Sequence, residues 1–499
     1  MEFSIVTSMS KRKPADLLIL PFWQESKSVK GAHSECAQFS KHTSESIKSG
    51  DFSGKEGEIL MLYPDSLPEK RLILLGLGNA KKCGLETLRK AYAAATKACR
   101  GKNITSLHVV VPEVANISEE AISGAIAEGM ALASYYFDEL KAESLKEDKM
   151  YRVQKITLLG VKPSSLAACQ KVEMVVQAVN AARDLVNRNA DQVNPENIGK
   201  FAKSLEKEYK SIKTTVLTRS EIEKNKMGLL LAVSRGASCD PSFSIIEYRG
   251  NPRSKDCTAI VGKGVTYDTG GLNLKPTGGM ETMKCDMAGA AAVLGTMKAI
   301  AALQLKVNVI GAVPSTENAI GPVSFKPGDV YPSFAGKTVE ITNTDAEGRL
   351  ILADAVAYVQ KHFSPKYIID LATLTGAMVI SLGEEATGFF TNDDKLGNAL
   401  VESGNATSEL LWRMPLYPEY KEKLKSTIAD LKNWNGRDAG SCVAATFIQQ
   451  FVNDTSWAHL DIAGTAYLSK PKLYHNTNAT GVGIRLLVNF FENMEKNNL

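Results

Sequence analysis

Apolar and polar residues follow one another along this chain in short blocks that switch between the two periods of regular secondary structure. Short apolar runs bounded by glycine, proline or charged residues predict buried strands. Longer stretches in which apolar residues recur every three or four positions predict helices. In the first third of the chain this pattern predicts strands at 16–20, 59–63, 71–76, 106–112 and 155–160, and helices at 85–99 and 119–140.

The same alternation continues after a long helical pattern at residues 164–187. Further strands are predicted at 307–313, 339–341 and 367–370, and helices at 288–302 and 350–362. Strands that alternate with helices in both halves predict an α/β protein. We expect two α/β domains, the larger with a mixed sheet flanked by helices: a smaller N-terminal domain at 1–163, a linker helix at 164–190 and a larger C-terminal domain at 191–499.

Composition agrees with two domains, because 499 residues exceed what a single hydrophobic core usually supports. The net charge of +4 is nearly balanced, so composition favours neither nucleic acid nor a membrane as the main partner. No apolar run approaches the ~18 residues of a membrane span. The eight cysteines form no C-x-x-C pair, which predicts a reducing compartment without disulfides, the cytoplasm.

The segment 343–350 carries the densest candidate chemistry, with Asp345, Glu347 and Arg349 at alternate positions. In an extended segment these three side chains would lie on one face. Two clustered carboxylates repel each other unless a cation lies between them, and a divalent metal is the usual one. A solvated strand face explains most such strings, however, so this segment alone is weak evidence for a metal site.

A second segment strengthens the metal interpretation. Residues 261–275 follow an apolar strand-like run and place Lys263, Asp268 and Lys275 among glycines, and Asp286 comes soon after. The segment lacks the G-x-x-x-x-G-K-[ST] pattern of a phosphate-binding loop, and its acids would repel phosphate. A glycine-rich loop with surface charges remains the alternative, but it does not explain why the charges are flanked by apolar runs.

Charge arithmetic favours two metals over one. Asp268, Asp286, Asp345 and Glu347 carry four negative charges when ionised, which two divalent cations would balance. Paired metals can activate a bridging water as a nucleophile. Lys263 could be a further ligand only as the neutral amine. Lys275 and Arg349 would then remain as positive charges suited to an anionic transition state.

Residues 263–275, 283–289 and 343–350 closely resemble the motifs of the cytosolic leucyl aminopeptidase family, two-metal peptidases with the signature N-T-D-A-E-G-R-L. The resemblance covers roughly residues 180–490. It continues through 412–416, 429–433, 457–464 and 480–486.

The resemblance implies a role for each matching position. Asp268 and Glu347 would bridge the two metals, Lys263 and Asp286 would complete the tighter site, and Asp345 the more exchangeable one. Lys275 would stabilise the oxyanion, and Arg349 would hold a bicarbonate ion that acts as general base. The pocket for the first side chain of the substrate would be lined by Met283, Thr373, Gly376, Ala463 and Ala466.

The implied activity is that of a metallo-exopeptidase, a leucyl aminopeptidase of the cytoplasm. It would release N-terminal leucine or other apolar residues from short peptides with a free N-terminus, by attack of a metal-bridging hydroxide. The family also implies a homohexamer. Manganese or zinc is expected, although oxygen ligands with one amine admit cobalt and magnesium as well.

A binding role is the alternative, most plausibly an accessory DNA-binding function that some bacterial relatives of this family perform. It would use basic residues of the first domain, although ordinary solvated side chains are the favoured explanation of these residues, because no recognised nucleic-acid motif is present. The residues are Lys11, Arg12, Lys13, Lys27, Lys30, Lys41 and Lys48.

Overall fold

The computed structural model of the protein describes residues 1–26, 28–147 and 152–497. The chain divides into two compact units, Met1–Val176 with Lys470–Thr477 and Gln177–Ser469 with Asn478–Leu499. The division falls inside the helix at Ser164–Asn187, the stretch for which the sequence predicts a linker helix. Each unit has its own sheet.

The first unit is built on a seven-stranded sheet among its described residues. Its strands are β1 (Glu2–Val6), β2 (Leu17–Gln24), β3 (Val29–Gly31), β4 (Ile59–Leu62), β5 (Leu72–Gly76), β6 (Ser106–Val110) and β7 (Lys155–Leu159). Its helices are α1 (Ser40–Lys48), α2 (Leu85–Ala98), α3 (Glu119–Ala133), α4 (Ala142–Glu147) and the start of α5 (Ser164–Asn187).

Most neighbours in this sheet are parallel. The order is β1-β7-β6-β2-β5-β4, with β3 beside β2. In the described part, β3 is antiparallel to β2 and β4 is antiparallel to β5, and the other neighbours are parallel. Leu17–Leu20 and Leu72–Leu75 are fully buried because helices cover parallel strands on both faces, so their side chains do not alternate with polar ones.

Helix α3 is shorter than the sequence predicts, so the expected helix at 119–140 is wrong beyond residue 133. The hydroxyl of Ser134 donates to the carbonyl of Met130 at 2.9 Å, and Ser134 is the C-cap at which the helix ends. The apolar pattern continues into Tyr135 and Tyr136, but these rings pack from a loop. Tyr136 lies under the guanidinium of Arg100, 4.3 Å from its ring centre.

Arg12, one of the basic residues considered for DNA binding, forms an ion pair inside the protein. The carboxylate of Glu69 is buried. It accepts a hydrogen bond from Arg12 Nε at 2.8 Å and lies 2.6 Å from His108 Nδ1. Arg12 therefore neutralises an internal acid. Lys27 lies outside the described residues. The DNA-binding alternative rests on the exposed side chains of Lys11, Lys13, Lys30, Lys41 and Lys48 alone.

The second unit contains a nine-stranded mixed sheet in its described part, together with smaller sheets. Its strands are β8 (Ile212–Leu217), β9 (Ser242–Arg249), β10 (Thr258–Gly262), β11 (Gly264–Asp268), β12 (Asn308–Asn318), β13 (Val330–Pro332), β14 (Thr338–Glu340), β15 (Tyr367–Ala372), β16 (Thr387–Thr391), β17 (Leu411–Arg413), β18 (Leu431–Lys432), β19 (Ser456–Asp461), β20 (Tyr467–Leu468) and β21 (Asn478–Ala479).

Helices lie between these strands in the chain and cover the sheet. After α5 they are α6 (Pro195–Glu208), α7 (Arg219–Lys224), α8 (Gly228–Ser234), α9 (Ala288–Ala302), α10 (Gly348–Phe363), α11 (Gly376–Leu382), α12 (Asp394–Thr407), α13 (Glu419–Glu422), α14 (Gly440–Gln449) and α15 (Ile484–Asn497). The expected α/β class, with a mixed sheet flanked by helices, is confirmed. Within the described residues, no helix has both the length and the apolar character that crossing a bilayer requires.

The large sheet runs in the order β17-β16-β19-β15-β10-β12-β9-β8, with β11 beside the end of β12. Its centre, from β19 through β15 and β10 to β12, is parallel. The carboxyl ends of these four strands therefore meet at one edge of the sheet, at Asp461, Ala372, Gly262 and Asn318. In open α/β sheets this edge is where binding sites form.

A buried carboxylate ties two helices of the second unit together. Asp354 on α10 accepts the backbone N–H groups of Leu229 and Leu230 at 2.9 and 3.1 Å, and that of Phe334 at 2.8 Å. It thereby satisfies donors in the first turn of α8, which have no partner inside that helix.

We expect Asp354→Ala to destabilise the protein strongly. Three buried N–H groups would lose their acceptor, and each unsatisfied group costs about 1–3 kcal/mol. Thermal denaturation should show a clearly lowered Tm, whereas Glu402→Ala on the exposed face of α12 should leave it nearly unchanged. Equal Tm values for the two variants would contradict this role of Asp354.

Candidate active site

Three buried carboxylates converge at the edge where the parallel strands end. Asp268 is the last residue of β11, Asp286 follows a 3-10 turn at Met283–Cys285, and Glu347 immediately precedes α10. One oxygen from each lies within 4.8 Å of the others, and all three side chains are almost completely buried. Such an arrangement is stable only when cations compensate the charge.

The signature segment reaches this cluster by a turn. The side chain of Asn343 accepts the N–H of Asp345 at 2.8 Å, and its carbonyl accepts that of Ala346 at 3.3 Å. Glu347 then caps α10, and Arg349 lies in the first turn of that helix. The expectation that Asp345, Glu347 and Arg349 share one face of an extended segment is therefore wrong, because asparagine bonded to its own following backbone favours a turn over a strand.

Two lysines supply the compensating charge. The ammonium of Lys263 lies 2.8 Å from Asp286 Oδ2 and 2.9 Å from Glu347 Oε1, and it donates to the carbonyl of Thr373 at 2.9 Å. The ammonium of Lys275 lies 2.7 Å from Asp268 Oδ2 and 2.6 Å from Asp345 Oδ1. Each lysine thus bridges two carboxylates, so that all four carboxylates have an ammonium partner.

The glycine of the signature has a steric role beside Lys263. A Cβ on Gly348 would lie 2.6 Å from Lys263 Cε and 2.8 Å from its Nζ, which is closer than side-chain atoms approach one another. Any larger residue would push the lysine away from Glu347. The start of α10 therefore requires glycine because the lysine shaft crosses it.

The electrostatics of the cluster are dominated by burial. Burial, with repulsion from neighbouring carboxylates, raises the pKa of Asp268, Asp286 and Asp345 above the ordinary value for aspartate. Burial opposes the charge of Lys263 and Lys275 as well, but the surrounding carboxylates outweigh it and raise the pKa of both amines. Both lysines are therefore ammonium ions while no metal is bound.

The donor set fits divalent cations. Four carboxylates face two ammonium groups, so the cluster keeps a net negative charge, and the available ligand atoms are hard oxygens beside the amines of Lys263 and Lys275. Magnesium, manganese and zinc accept such ligands. Lys263, Asp268, Asp286, Asp345 and Glu347 are the residues in position to hold them.

Arg349 offers a separate, unused donor. Its Nη1 donates to the carbonyl of Asn433 at 2.8 Å, while its Nε is buried and has no hydrogen-bond partner among the described residues. Burial lowers the pKa of Arg349 to about 10, and the nearby carboxylates counteract that effect. A buried guanidinium donor without an acceptor suits a small bound anion.

The residues predicted for the substrate pocket occupy different environments. The hydroxyl of Thr373 donates to Asp286 Oδ1 at 2.8 Å, so this residue belongs to the carboxylate cluster itself. Gly376 is exposed at the start of α11, and Met283 and Ala463 are half-buried. Ala466 is only 2% exposed. Their common role as a substrate pocket stays a prediction.

Sequence reasoning overlooked three residues that shape the site. Asn318 donates to Asp268 Oδ1 at 2.8 Å. Asn433 donates to the carbonyl of Asn343, in the turn at residues 343–346 that we call the signature turn. Asp461 accepts the N–H of Leu374 at 3.1 Å and the hydroxyl of Thr375 at 2.7 Å. None of them adds to a count of metal ligands. The available signals were the position of Asn318 after an apolar strand and the presence of Asn433 and Asp461 in segments that resemble the family.

Comparison with known protein families shows the family to which the chain belongs. The catalytic domain of the cytosol aminopeptidase family matches residues 180–488, and the N-terminal domain of the same family matches residues 19–144. The chain belongs to the cytosol aminopeptidase family. The resemblance read from the motifs is confirmed, and the protein is a metal-dependent aminopeptidase, a hydrolase.

Members of the family from other organisms match along their whole length. A probable cytosol aminopeptidase of Protochlamydia amoebophila is 52% identical over 99% of this chain and 99% of its own. One from Chlamydia abortus is 44% identical over 98% of both chains.

Solved structures of related enzymes share the fold. A mutant of tomato leucine aminopeptidase superimposes with a TM-score of 0.88 at 32% identity, covering 98% of this chain and 96% of that one. The bottromycin maturation enzyme BotP, solved in complex with manganese, superimposes with a TM-score of 0.85 at 29% identity, covering 96% of this chain and 100% of that one.

We expect manganese to stabilise this aminopeptidase more at pH 7.5 than at pH 5.5. Because burial raises the pKa of Asp268, Asp286 and Asp345, protons occupy these carboxylates increasingly as the pH falls and would compete there with a metal. Lys263 must also lose its proton to become a ligand, which acts in the same direction. The measurement is the rise in Tm on adding manganese to metal-free protein, and Asp286→Ala is the control that should show little rise at either pH. An equal rise at both values would rule out these carboxylates as the ligands.

Proposed function

We propose that the protein releases N-terminal amino acids, preferably leucine or other apolar residues, from short peptides, using two divalent ions held by the carboxylate cluster. The observation that carries this proposal is the convergence of four carboxylates, whose four negative charges two divalent ions would balance once metals take the place of the two ammonium groups as counter-charges. Asp268 and Glu347 would be shared by both ions. Lys263 and Asp286 would complete the tighter position and Asp345 the more exchangeable one.

The relative exposure of the ligands supports this assignment of tight and exchangeable positions. Lys263, Asp286 and Glu347 have side chains no more than 5% accessible, whereas that of Asp345 is 35% accessible. Manganese or zinc is the proposed metal, and the manganese bound in BotP favours the first. When bound, the ions would supply Lewis acidity that activates water and polarises the scissile carbonyl.

Lys275 is proposed to stabilise the oxyanion. Its ammonium is held at the mouth of the cluster by Asp268 and Asp345 and is partly accessible, unlike that of Lys263. Metal ions would replace it as the counter-charge of these two carboxylates. Its N–H donors would then be available to the substrate oxygen that becomes negative, the kind of electrostatic assistance that usually dominates acyl-transfer catalysis.

Arg349 is proposed to hold a bicarbonate ion, which serves as general base in enzymes that resemble this one. The support is its buried Nε, which has no acceptor among the described residues. Asn433 fixes the opposite side of the guanidinium through Nη1, so Nε has one direction in which to donate. A planar anion would satisfy it by a charge-assisted hydrogen bond.

Substrate selection would rest on two features. The free N-terminal amine of the peptide would be a ligand of the cluster, and Met283, Thr373, Gly376, Ala463 and Ala466 would line the pocket for the first side chain. A charged first residue would lose its hydration in such a pocket without gaining a partner. We also propose a homohexamer in the cytoplasm, in line with the resemblance and with relatives named cytosol aminopeptidases.

We expect Lys275→Ala and Glu347→Ala to fail in different ways. Lys275→Ala should lower kcat by roughly 10²–10³-fold, the scale of losing one oxyanion donor, while metal content stays near that of the wild type. Glu347→Ala should lose both bound metal and activity. Metal analysis beside steady-state kinetics checks this. Lys298→Ala on α9 is the matched lysine control, because Lys298 also pairs with a carboxylate, that of Glu208, outside the cluster. A Lys275→Ala protein without metal would assign this lysine to metal retention.

N-acetylation of the substrate should abolish cleavage. Leucinamide offers a neutral amine as a ligand, whereas the acetamide nitrogen of N-acetyl-leucinamide has no available lone pair. Turnover of the two compounds by the manganese-loaded enzyme can be compared directly, with a panel of other unblocked amides to rank apolar against charged first residues. Similar rates for the free and acetylated forms would refute the exopeptidase mechanism.

A further inference from the structure

Two buried asparagine side chains form hydrogen bonds to the backbone of the signature turn, residues 343–346. Asn433 donates one amide hydrogen to the carbonyl of Asn343 at 2.7 Å and the other to that of Ala346 at 3.2 Å. Asn318 donates to the carbonyl of Thr344 at 3.0 Å. Both asparagines are fully buried. Three of the four carbonyls from 343 to 346 are thus held by side-chain amides.

The side chain of Asn433 also accepts hydrogen bonds from backbone N–H groups at the start of the turn. The Oδ1 atom of Asn433 accepts the N–H of Thr342 at 2.8 Å and that of Asn343 at 3.3 Å, so one side chain fixes both donors and acceptors of the turn. The second hydrogen-bond acceptor of Asn318 is Asp268 Oδ1, at 2.8 Å. Asn318 therefore joins the turn to the carboxylate proposed to be shared by both ions.

The residue between the held carbonyls is Asp345. Its side chain is the most exposed of the proposed ligands, and it lies on a turn without regular secondary structure of its own. A ligand on an irregular turn is positioned only as well as the groups that hold the turn. The amides of Asn318 and Asn433 hold the carbonyls of the turn, while the side chains of Asn343 and Asn273 accept the N–H groups of Asp345 and Thr344 at 2.8 Å each.

We infer that Asn318 and Asn433 form an amide clamp that sets the affinity of the more exchangeable metal position by fixing the turn around Asp345. This inference rests on the proposed two-ion site and assigns positioning residues to it. The side-chain amide of Asn433 bonds only to Thr342, Asn343 and Ala346 among the described residues, whereas its contact with Arg349 is made by the backbone carbonyl, which a side-chain substitution keeps. The amide should therefore act on the exchangeable ion alone. Asn318 also holds Asp268 and should act on both ions.

The test is manganese binding to metal-free protein, measured by isothermal titration calorimetry, for the wild type, Asn433→Ala and Asn318→Ala. Loss of a group that orients a metal ligand usually costs about 10–100-fold in affinity. Asn433→Ala should lose affinity on that scale for the weaker ion and keep the tighter one. Asn318→Ala should weaken both.

Asn308→Ala is the matched control. Asn308 is the buried asparagine at the other end of the same strand, β12, and its amide likewise holds loop carbonyls, those of Asn251, Ser254 and Asp256 at 2.9–3.1 Å. This variant should lose stability without losing metal affinity. If Asn433→Ala does not fold, Asn433→Asp keeps the shape and removes the same two donors, so the same selective loss is expected.

Three outcomes would overturn the clamp. A folded Asn433 variant with both affinities at wild-type values removes its role, equal weakening of both ions shows that it does not act on one position, and an equal loss in Asn308→Ala reduces the effect to general destabilisation. Wild-type protein that binds fewer than two ions would instead refute the two-ion site itself, and the clamp with it.

Discussion

The second unit is organised around the burial of like charges. Asp268, Asp286 and Glu347 sit within a few ångströms of one another and away from water, where unpaired carboxylates are unstable. Everything around them can be understood as a response to that constraint. Lys263 and Lys275 bridge the acids in pairs, Thr373 donates to Asp286, and parallel strands deliver the whole group to one edge of the sheet.

Close packing is the second requirement of this arrangement, and glycines meet it. Gly262 and Gly289 bring β10 and α9 so near that a Cβ on Gly262 would lie 2.4 Å from the carbonyl of Gly289. Gly348 makes room for the Lys263 shaft at the start of α10. These three glycines are therefore explained by close packing, against backbone at Gly262 and Gly289 and against a lysine side chain at Gly348, which is a different reason from the phosphate binding that glycine-rich loops often serve.

The sequence predicted the parts of the fold that depend on local pattern. Helix α9 begins and ends where its apolar pattern does, and parallel strands such as β5 stand out as continuous apolar runs. The end of α3 was missed because Tyr135 and Tyr136 continue the apolar pattern after the backbone has left the helix. The turn at Asn343 was missed because period-two spacing of charges resembles a strand, while a single side-chain hydrogen bond decides for a turn.

The residues of the site also divide into those that the local sequence reveals and those that only the folded structure reveals. Acids and lysines could be found by adding charges, because charge is a property of each residue type. Asn318, Asn433 and Asp461 could not, because their importance lies in hydrogen bonds across 26 to 90 positions of sequence. Those contacts exist only after the sheet has assembled.

The lysine bridges also change what metal loading means for this molecule. A site whose proposed ligands are already paired with ammonium groups is not an empty cavity that waits for an ion. Uptake is a displacement, in which an incoming cation must compete with an internal one that cannot diffuse away, and departure allows that internal cation to return. Under the proposed assignment Lys275 acts as a tethered competitor of the metal, while Lys263 gives up a proton and joins the ligands.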